Sequence, residues 1–236
     1  QIEFGRDPIY IEQGKDLSLY LLSLKGAPRG RILRVPLNNP DLARAQEIVK
    51  EGKWPIEDFK PTAGGLYVAE LEGGPSKMRF YDFFEKKDQP LDFRRTTSVE
   101  QILVTRGDEV LVRTATYTEP YVWSLYDPNQ DKNRIEATKL RGFSPVSFND
   151  IEAVRVSVKS TDGTNVPMTI LRRRGTRLDG ENPTILTGYG GYGISLKPNF
   201  DVNRRVWFDQ GGIIAVANLR GGGELGEDWH KSGALT

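Results

Sequence analysis

The chain has 236 residues, of which 37% are hydrophobic and 28% charged, a composition typical of a globular protein with a substantial core. Lys and Arg number 33 and Asp and Glu number 32, so the net charge of +1 favours neither nucleic acid nor an anionic membrane as a partner. The absence of cysteine excludes a disulfide framework and a thiolate nucleophile. With a single histidine, the sequence offers no ligand cluster, and we expect neither a metal nor a cofactor.

Residues 1–138 carry short strand signals separated by Gly, Pro, Asn and Asp turns. Tyr20, Tyr67 and Tyr117 lie on or beside the first long strand of three successive sets, at intervals of 47 and 50 residues. A repeat of this length, holding about four short strands, is what one β-propeller blade requires. The sequence therefore predicts a partial propeller of about three blades, with an all-β sandwich as the alternative.

One segment departs from this strand pattern. Residues 42–52 (LARAQEIVKEG) have a helix-like composition, with Asp41 in the capping position and Gly52 at the far end. We interpret the segment as a short helix or a loop inserted between strands.

The composition changes near residues 139–150, which we interpret as a linker. Beyond it, the dipeptide Asp162-Gly163 predicts a hairpin turn between two strands. A continuous apolar strand after a helical segment indicates a parallel sheet that is buried on both faces. The predicted elements are strands at 151–160, 166–172, 184–187 (TILT) and 212–217 (GIIAVA), and an amphipathic segment at 202–210.

Two glycine-rich stretches directly follow the predicted buried strands: GYGGYG at 188–193 and NLRGGGELG at 218–226. In open α/β sheets, ligands bind at the carboxyl ends of the strands, and glycine lets backbone amides approach a ligand closely. Neither stretch matches a phosphate-binding pattern. Taken alone, the two stretches are either tight turns or part of a binding site.

The stretch GYGGYG, followed further along by VANLRGGGELGEDWHKSG, resembles the start of the peptidase domain of the prolyl oligopeptidase family. The resemblance is strong over residues 151–236 and weaker over the strand repeats. It implies a mixed fold, in which a partial, all-β propeller at 1–138 and a linker at 139–150 precede the N-terminal part of an α/β-hydrolase peptidase domain at 151–236.

The resemblance also implies roles for single residues. Tyr189 matches the family tyrosine whose hydroxyl donates to the oxyanion of the tetrahedral intermediate, a core tyrosine being the alternative. Tyr192 matches a substrate-binding position that is usually phenylalanine and lines the proline pocket. The remaining matches belong to the active-site loops, where we expect an ion pair between Arg220 and Glu224, or a similar one, to shape the floor of the site; they are Gly190, Gly191, Arg220 and Glu224.

We expect no catalytic triad within this chain. His230 is the only histidine, and the matching family position is not the catalytic one. Neither residues 142–144 (GFS) nor 231–233 (KSG) fit the strand–turn–helix setting of a nucleophile elbow. By resemblance, the serine, aspartate and histidine lie beyond Thr236, so the chain alone is expected to be inactive.

For the parent protein, the resemblance implies a serine peptidase that cleaves short proline-containing peptides after proline. An oligopeptidase B-like enzyme that cleaves after Lys or Arg, and a non-catalytic propeller binding module, are the alternatives. The sequence begins Gln1-Ile2-Glu3, so we expect a truncated N-terminus. We expect a cytoplasmic location, with the periplasm as the alternative, and no nucleic acid or membrane as a partner.

Overall fold

The computed structural model describes residues 9–93, 96–130 and 135–234. Within these ranges the chain forms four four-stranded β-sheets, which follow one another along the sequence, and two short α-helices. Neither helix has the length and apolar character needed to cross a membrane. The described part of the chain is therefore mostly β-structure.

The first three sheets share one topology, in which four antiparallel strands are each hydrogen-bonded to the next along the chain. The first sheet comprises β1 (Tyr10–Gln13), β2 (Ser18–Ser23), β3 (Arg31–Pro36) and β4 (Gln46–Val49). The second comprises β5 (Ile56–Pro61), β6 (Gly65–Leu71), β7 (Ser76–Asp82) and β8 (Lys87–Leu91). The third comprises β9 (Thr97–Val104), β10 (Val110–Thr116), β11 (Val122–Tyr126) and β12 (Ile135–Arg141). The first strands of successive sheets contact each other, as the innermost strands of propeller blades do.

The second sheet packs against both of its neighbours. Along β6, Leu66 and Val68 join a core cluster shared with the first sheet, whereas Tyr67 and Ala69 join one shared with the third. All four side chains are at most 1% exposed. Successive side chains of a strand point to opposite faces of its sheet. The side chains on both faces of β6 are therefore buried because another sheet packs against each face. Face-to-face stacking of this kind confirms the predicted blade repeat.

The predicted helix or loop at residues 42–52 is wrong for Gln46–Val49, which form a strand. A single 3₁₀ turn at Leu42–Arg44 leads into β4, which is the fourth strand of the first sheet. The Asp41 carboxylate does cap that turn by accepting a hydrogen bond from the Ala43 N–H. Val49, however, is buried in the cluster between the first two sheets. Tertiary packing of the extended chain thus overrides the helical composition.

Tyr117 is not the structural counterpart of Tyr20 and Tyr67. The latter two lie in β2 and β6 and pack between sheets, whereas Tyr117 follows the end of β10 and packs with Phe148 and Leu171. The 50-residue interval therefore marks a repeat of strands but not of this side chain. Tyr117 instead joins the third sheet to the core of the fourth.

The fourth sheet is mixed. Its strands are β13 (Ile151–Lys159), β14 (Asn165–Arg173), β15 (Thr184–Gly188) and β16 (Ile213–Ala217), in the spatial order β13-β14-β16-β15. The strands β13 and β14 form the predicted hairpin, and β15 runs parallel to β16. Along the chain, helix α1 (Arg204–Asp209) comes between β15 and β16, and its Phe208 packs in the core of this sheet. A second helix, α2 (Glu227–Lys231), follows β16. The parallel pair confirms the arrangement predicted from the apolar strands.

The two parallel strands differ in burial. All five residues of β16 are buried, as its apolar sequence predicts. The sequence TILT predicts a buried strand too, but all five residues of β15 are exposed, with Ile185 at 45% and Leu186 at 67%. Among the described residues, β15 is an edge strand that is hydrogen-bonded to β16 alone, and its side chains are exposed because no described element covers either of its faces. The prediction of burial is therefore wrong for β15 in this structure.

Candidate active site

The two glycine-rich stretches meet at one edge of the fourth sheet. The first glycine loop (residues 188–193) begins at the last residue of β15, and the second glycine loop (residues 218–226) directly follows β16. Because β15 and β16 are parallel, both loops leave the carboxyl ends of their strands. Open α/β sheets bind ligands at these carboxyl ends of their strands.

The two loops touch through their backbones. The Gly193 N–H donates to the Gly221 carbonyl oxygen at 2.9 Å. Gly221 has a positive φ of 94°, and a Cβ atom at this position would clash with the carbonyl oxygen of Gly190. Both the left-handed conformation and the close approach require glycine here. The glycines thus let the two loops lie against each other.

Tyr189 is the first residue beyond β15, and its side chain is 52% exposed. Its hydroxyl forms no hydrogen bond with any of the residues that the structure describes, which sets it apart from a core tyrosine with a satisfied hydroxyl. A phenol placed at a strand end with its O–H available can donate a hydrogen bond to a ligand oxygen. The geometry therefore leaves Tyr189 able to act as a donor.

Tyr192 lies in the same loop and is 88% exposed. Its φ of 56° lies in the left-handed region, which costs a residue with a side chain about 1–2 kcal/mol. Because the first glycine loop holds a strained conformation, contacts from outside the loop must keep it in place.

The predicted ion pair between Arg220 and Glu224 does not form. Arg220 instead pairs with Asp162, in the turn between β13 and β14. A backbone hydrogen bond from Thr164 and this Arg220 contact lower the pKa of Asp162 to about 2. Arg220 thereby ties the second glycine loop to the hairpin.

Glu224 is directed into the protein and is 1% exposed. Its Oε1 accepts hydrogen bonds from the Leu196 N–H at 2.9 Å and from Asn218 Nδ2 at 3.2 Å. Asn218 Nδ2 also donates to the Leu196 carbonyl oxygen at 2.8 Å. The carboxylate therefore joins the end of β16 to the segment that follows the first glycine loop.

His230 does not form part of a serine–histidine pair. Its Nδ1 lies 2.7 Å from the Gly221 carbonyl oxygen, so this ring supports the second glycine loop. The Oγ atoms of Ser144 and Ser232 both donate to nearby backbone carbonyls. Within residues 9–93, 96–130 and 135–234, no three His, Cys, Asp or Glu side chains are grouped as metal ligands.

A turn of the first sheet and the first strand of the second sheet reach the loop region, a feature that the sequence pattern does not predict. The Glu227 N–H donates to the Pro28 carbonyl oxygen at 2.7 Å, and Lys197 Nζ lies 2.5 Å from Glu57 Oε1. Burial raises the pKa of Glu57, and the charge of Lys197 lowers it in part. The members of each pair are far apart along the chain, so no local sequence signal could have revealed these contacts.

The repeated antiparallel sheets place the chain in the class of β-propeller proteins, with a mixed sheet after the blades. Residues 3–139 match the prolyl oligopeptidase N-terminal beta-propeller domain, and residues 198–236 match the prolyl oligopeptidase family. The chain belongs to the prolyl oligopeptidase family.

Two curated relatives illustrate the similarity. The prolyl endopeptidase of Elizabethkingia meningoseptica is 31% identical over 218 residues, which cover 92% of this chain and 30% of that protein. The dual function macrocyclase-peptidase POPB of Amanita bisporigera is 40% identical over 240 residues, which cover 98% of this chain and 32% of that protein. The chain thus spans about a third of the length of these relatives.

Solved structures show the same fold. A structure from work on two prolyl endopeptidases and their inter-domain dynamics matches with a TM-score of 0.84 at 29% identity, over 96% of this chain and 33% of the other. Oligopeptidase B from Leishmania major matches with a TM-score of 0.80 at 20% identity, over 95% of this chain and 33% of the other. At that identity, the second match speaks for the fold alone.

Proposed function

We propose that this chain is part of a serine peptidase that cleaves short peptides after proline, and that its first glycine loop supplies an oxyanion donor. The observation that carries the proposal is the half-exposed phenol of Tyr189 at the carboxyl end of β15. Membership of the prolyl oligopeptidase family and the similarity to prolyl endopeptidases support the reaction and the preference for proline.

The proposal includes the fold of the second half of the chain. Residues 1–138 are propeller blades, residues 139–150 a linker, and residues 151–236 the beginning of an α/β-hydrolase domain. Three observations support this division. The strands β15 and β16 are parallel and are connected along the chain by α1, and the family match covers residues 198–236. The apolar side chains of Ile185 and Leu186 are exposed to solvent. A sheet of that fold has helices on both faces, which would cover such side chains.

Tyr189 would act when the substrate carbonyl becomes tetrahedral. A serine oxygen attacks the carbonyl carbon, a histidine takes the serine proton, and negative charge develops on the carbonyl oxygen. A phenol O–H that is already in place stabilises this charge without reorganisation, and one such donor contributes on the order of 3 kcal/mol to the transition state. The serine and histidine would come from other residues of the protein, so we propose that the 236-residue chain alone is inactive.

The acidic residues of the two glycine loops also support the proposed preference for proline over Lys or Arg. Cleavage after Lys or Arg needs a carboxylate in the substrate pocket, but the only acidic residue in the two loops is Glu224, which is buried and hydrogen-bonded within the protein. Neither loop therefore offers a carboxylate to a basic substrate.

An assay of the full-length protein tests the proposal with two reporter peptides that differ only in Pro or Arg before the cleaved bond. We expect a higher kcat/KM for the prolyl reporter and no hydrolysis of either one by the 236-residue chain. A preference for the arginyl reporter would favour an oligopeptidase B-like enzyme. Hydrolysis of neither by the full-length protein would favour a non-catalytic propeller binding module.

A further inference from the structure

The Glu224 carboxylate joins two segments that are not paired with each other as strands of the fourth sheet. One is Leu196, three residues past the first glycine loop, and the other is Asn218, the first residue past β16. The single atom Oε1 accepts from both, while Asn218 also donates to Leu196. These three hydrogen bonds form a closed triangle that pins the far end of the first glycine loop to the end of β16.

The first glycine loop needs such a fastening. At its start, the loop is held by β15, whose residues are exposed and which pairs with β16 alone among the described strands. At its end, it is held by the Gly193 N–H, which donates to the Gly221 carbonyl oxygen, and then by the triangle at Leu196. Tyr189 lies between these two ends, so the triangle limits where its phenol can lie.

The other oxygen of Glu224 indicates that reach rather than charge is what matters. Oε2 is buried and has no hydrogen-bond partner among the described residues. A Cβ atom at Gly222 would overlap this oxygen, so the carboxylate is packed directly against the loop backbone. A buried charged oxygen without a partner is unfavourable, and a neutral amide of the same shape would keep the Oε1 acceptor and remove the charge, at the smaller cost of an unpartnered NH2 group in the place of Oε2.

We propose that Glu224 is a positioning residue for Tyr189, holding the first glycine loop through Leu196 and Asn218. This inference rests on the proposed function, because it assigns to Tyr189 the role of oxyanion donor. In this role Glu224 does not touch the substrate. It fixes the distance between the first glycine loop and the end of β16 through one acceptor atom, Oε1, whose position matters and whose charge does not.

Two conservative variants of the full-length protein separate reach from charge. Glu224→Gln keeps the reach of the Oε1 acceptor and removes the charge, whereas Glu224→Asp keeps the charge and withdraws the acceptor by one methylene. We expect Gln to retain a kcat close to that of the unmodified protein. We expect Asp to lower kcat by about 100-fold, the scale for a displacement of about 1 Å in an active site, with little change in KM.

A double-mutant cycle shows whether the effect passes through Tyr189. In a Tyr189→Phe background there is no hydroxyl to misplace, so Glu224→Asp should lower kcat no further. Glu227→Asp is the matched control: it shortens another glutamate nearby, whose carboxylate pairs with Lys231 at 3.4 Å, and should leave kcat unchanged.

Each outcome bears on one of the two proposals. If Tyr189→Phe alone leaves kcat unchanged, the proposed function fails. If Tyr189→Phe lowers kcat but Glu224→Asp does not, or if the two losses multiply, the positioning role of Glu224 is overturned. If Glu224→Gln loses as much kcat as Glu224→Asp, the charge and not the reach is needed, which also overturns the positioning role.

Thermal unfolding is measured for every variant as a control for folding. If Glu224→Asp does not fold, Asn218→Ala, which removes the other side chain of the triangle, replaces it.

Discussion

The second sheet and the fourth sheet contain strands of similar apolar character in opposite surroundings. In β6, Leu66 is 0% exposed because a neighbouring sheet lies on each face; in β15, Leu186 is 67% exposed because no described element covers the face to which it points. The comparison shows that an apolar sequence indicates only that a strand is suited to burial. Whether it is buried depends on the neighbours that the fold supplies.

The two regions also differ in what holds them together. The blades are held by interlocking side chains, as in the clusters on either side of β6. The edge of the fourth sheet is held by backbone contacts between two glycine loops and by a few buried polar side chains, notably Glu224 and Asn218. Loss of side-chain volume should therefore damage the blades, and gain of a side chain should damage the loops.

The largest effect expected from this comparison is in the blades. Leu66→Ala should lower the free energy of unfolding by about 2–5 kcal/mol, because it leaves a cavity between two sheets. In the same 236-residue chain, Leu186→Ala makes the same chemical change at an exposed position and should cost less than about 0.5 kcal/mol. Denaturant unfolding of both variants measures the difference. Equal losses would mean that β15 is buried in solution.

The next effect is expected where the two glycine loops touch. Gly221→Ala should destabilise the loops by about 1–3 kcal/mol or more, since the new Cβ atom meets Gly190 and the backbone is left-handed. Gly26→Ala is the control: Gly26 also has a positive φ, of 68°, but a Cβ atom there would have nothing within 4 Å. It should cost only the conformational penalty. Equal unfolding free energies for the two variants would argue against the close approach of the loops.

The smallest effect concerns the contact between the second sheet and the segment that follows the first glycine loop. Burial raises the pKa of Glu57 above its ordinary value of 4.5, and nearby Asp58 adds to this, while Lys197 opposes it. The folded chain therefore binds this proton at a higher pH than the unfolded chain, so the contribution of Glu57 to stability becomes less favourable as the pH rises through that window.

Glu57→Gln removes this titration. We expect the unfolding free energy of the unmodified chain, relative to the variant, to increase as the pH is lowered from neutral towards 4.5. Unfolding curves recorded at several pH values check the sign. A relative stability that stays constant or decreases over this range would show that the ion pair with Lys197 outweighs the burial of Glu57.

The features predicted correctly from the sequence are those encoded by local patterns. The alternation in β10, the Asp-Gly turn between β13 and β14, and the apolar run of β16 each specify a strand or a turn within a few residues. The repeat of four strands is likewise readable because each blade carries its own set of turn signals. These patterns gave the fold of the blades and the position of both glycine loops.

The features that could not be predicted depend on contacts between distant residues. The helical composition of residues 42–52 is overridden by packing of Val49 against the second sheet, and Arg220 selects Asp162, 58 residues away, instead of Glu224. The partners of Glu224 lie in two other segments. Charge and spacing along the chain do not reveal which of several acids an arginine meets, because the hairpin brings its turn to the loop only in three dimensions.

The role of Tyr189 is tested most directly by Tyr189→Phe in the full-length protein, which removes one hydroxyl and keeps the ring. We expect a fall in kcat of about 100- to 1,000-fold on a prolyl reporter peptide, with KM little changed, because the lost hydrogen bond stabilises the transition state. Tyr121→Phe, at a partly exposed tyrosine that directly precedes β11, should leave both constants as they are. An undiminished kcat in the Tyr189→Phe enzyme would contradict the role of Tyr189 as the oxyanion donor.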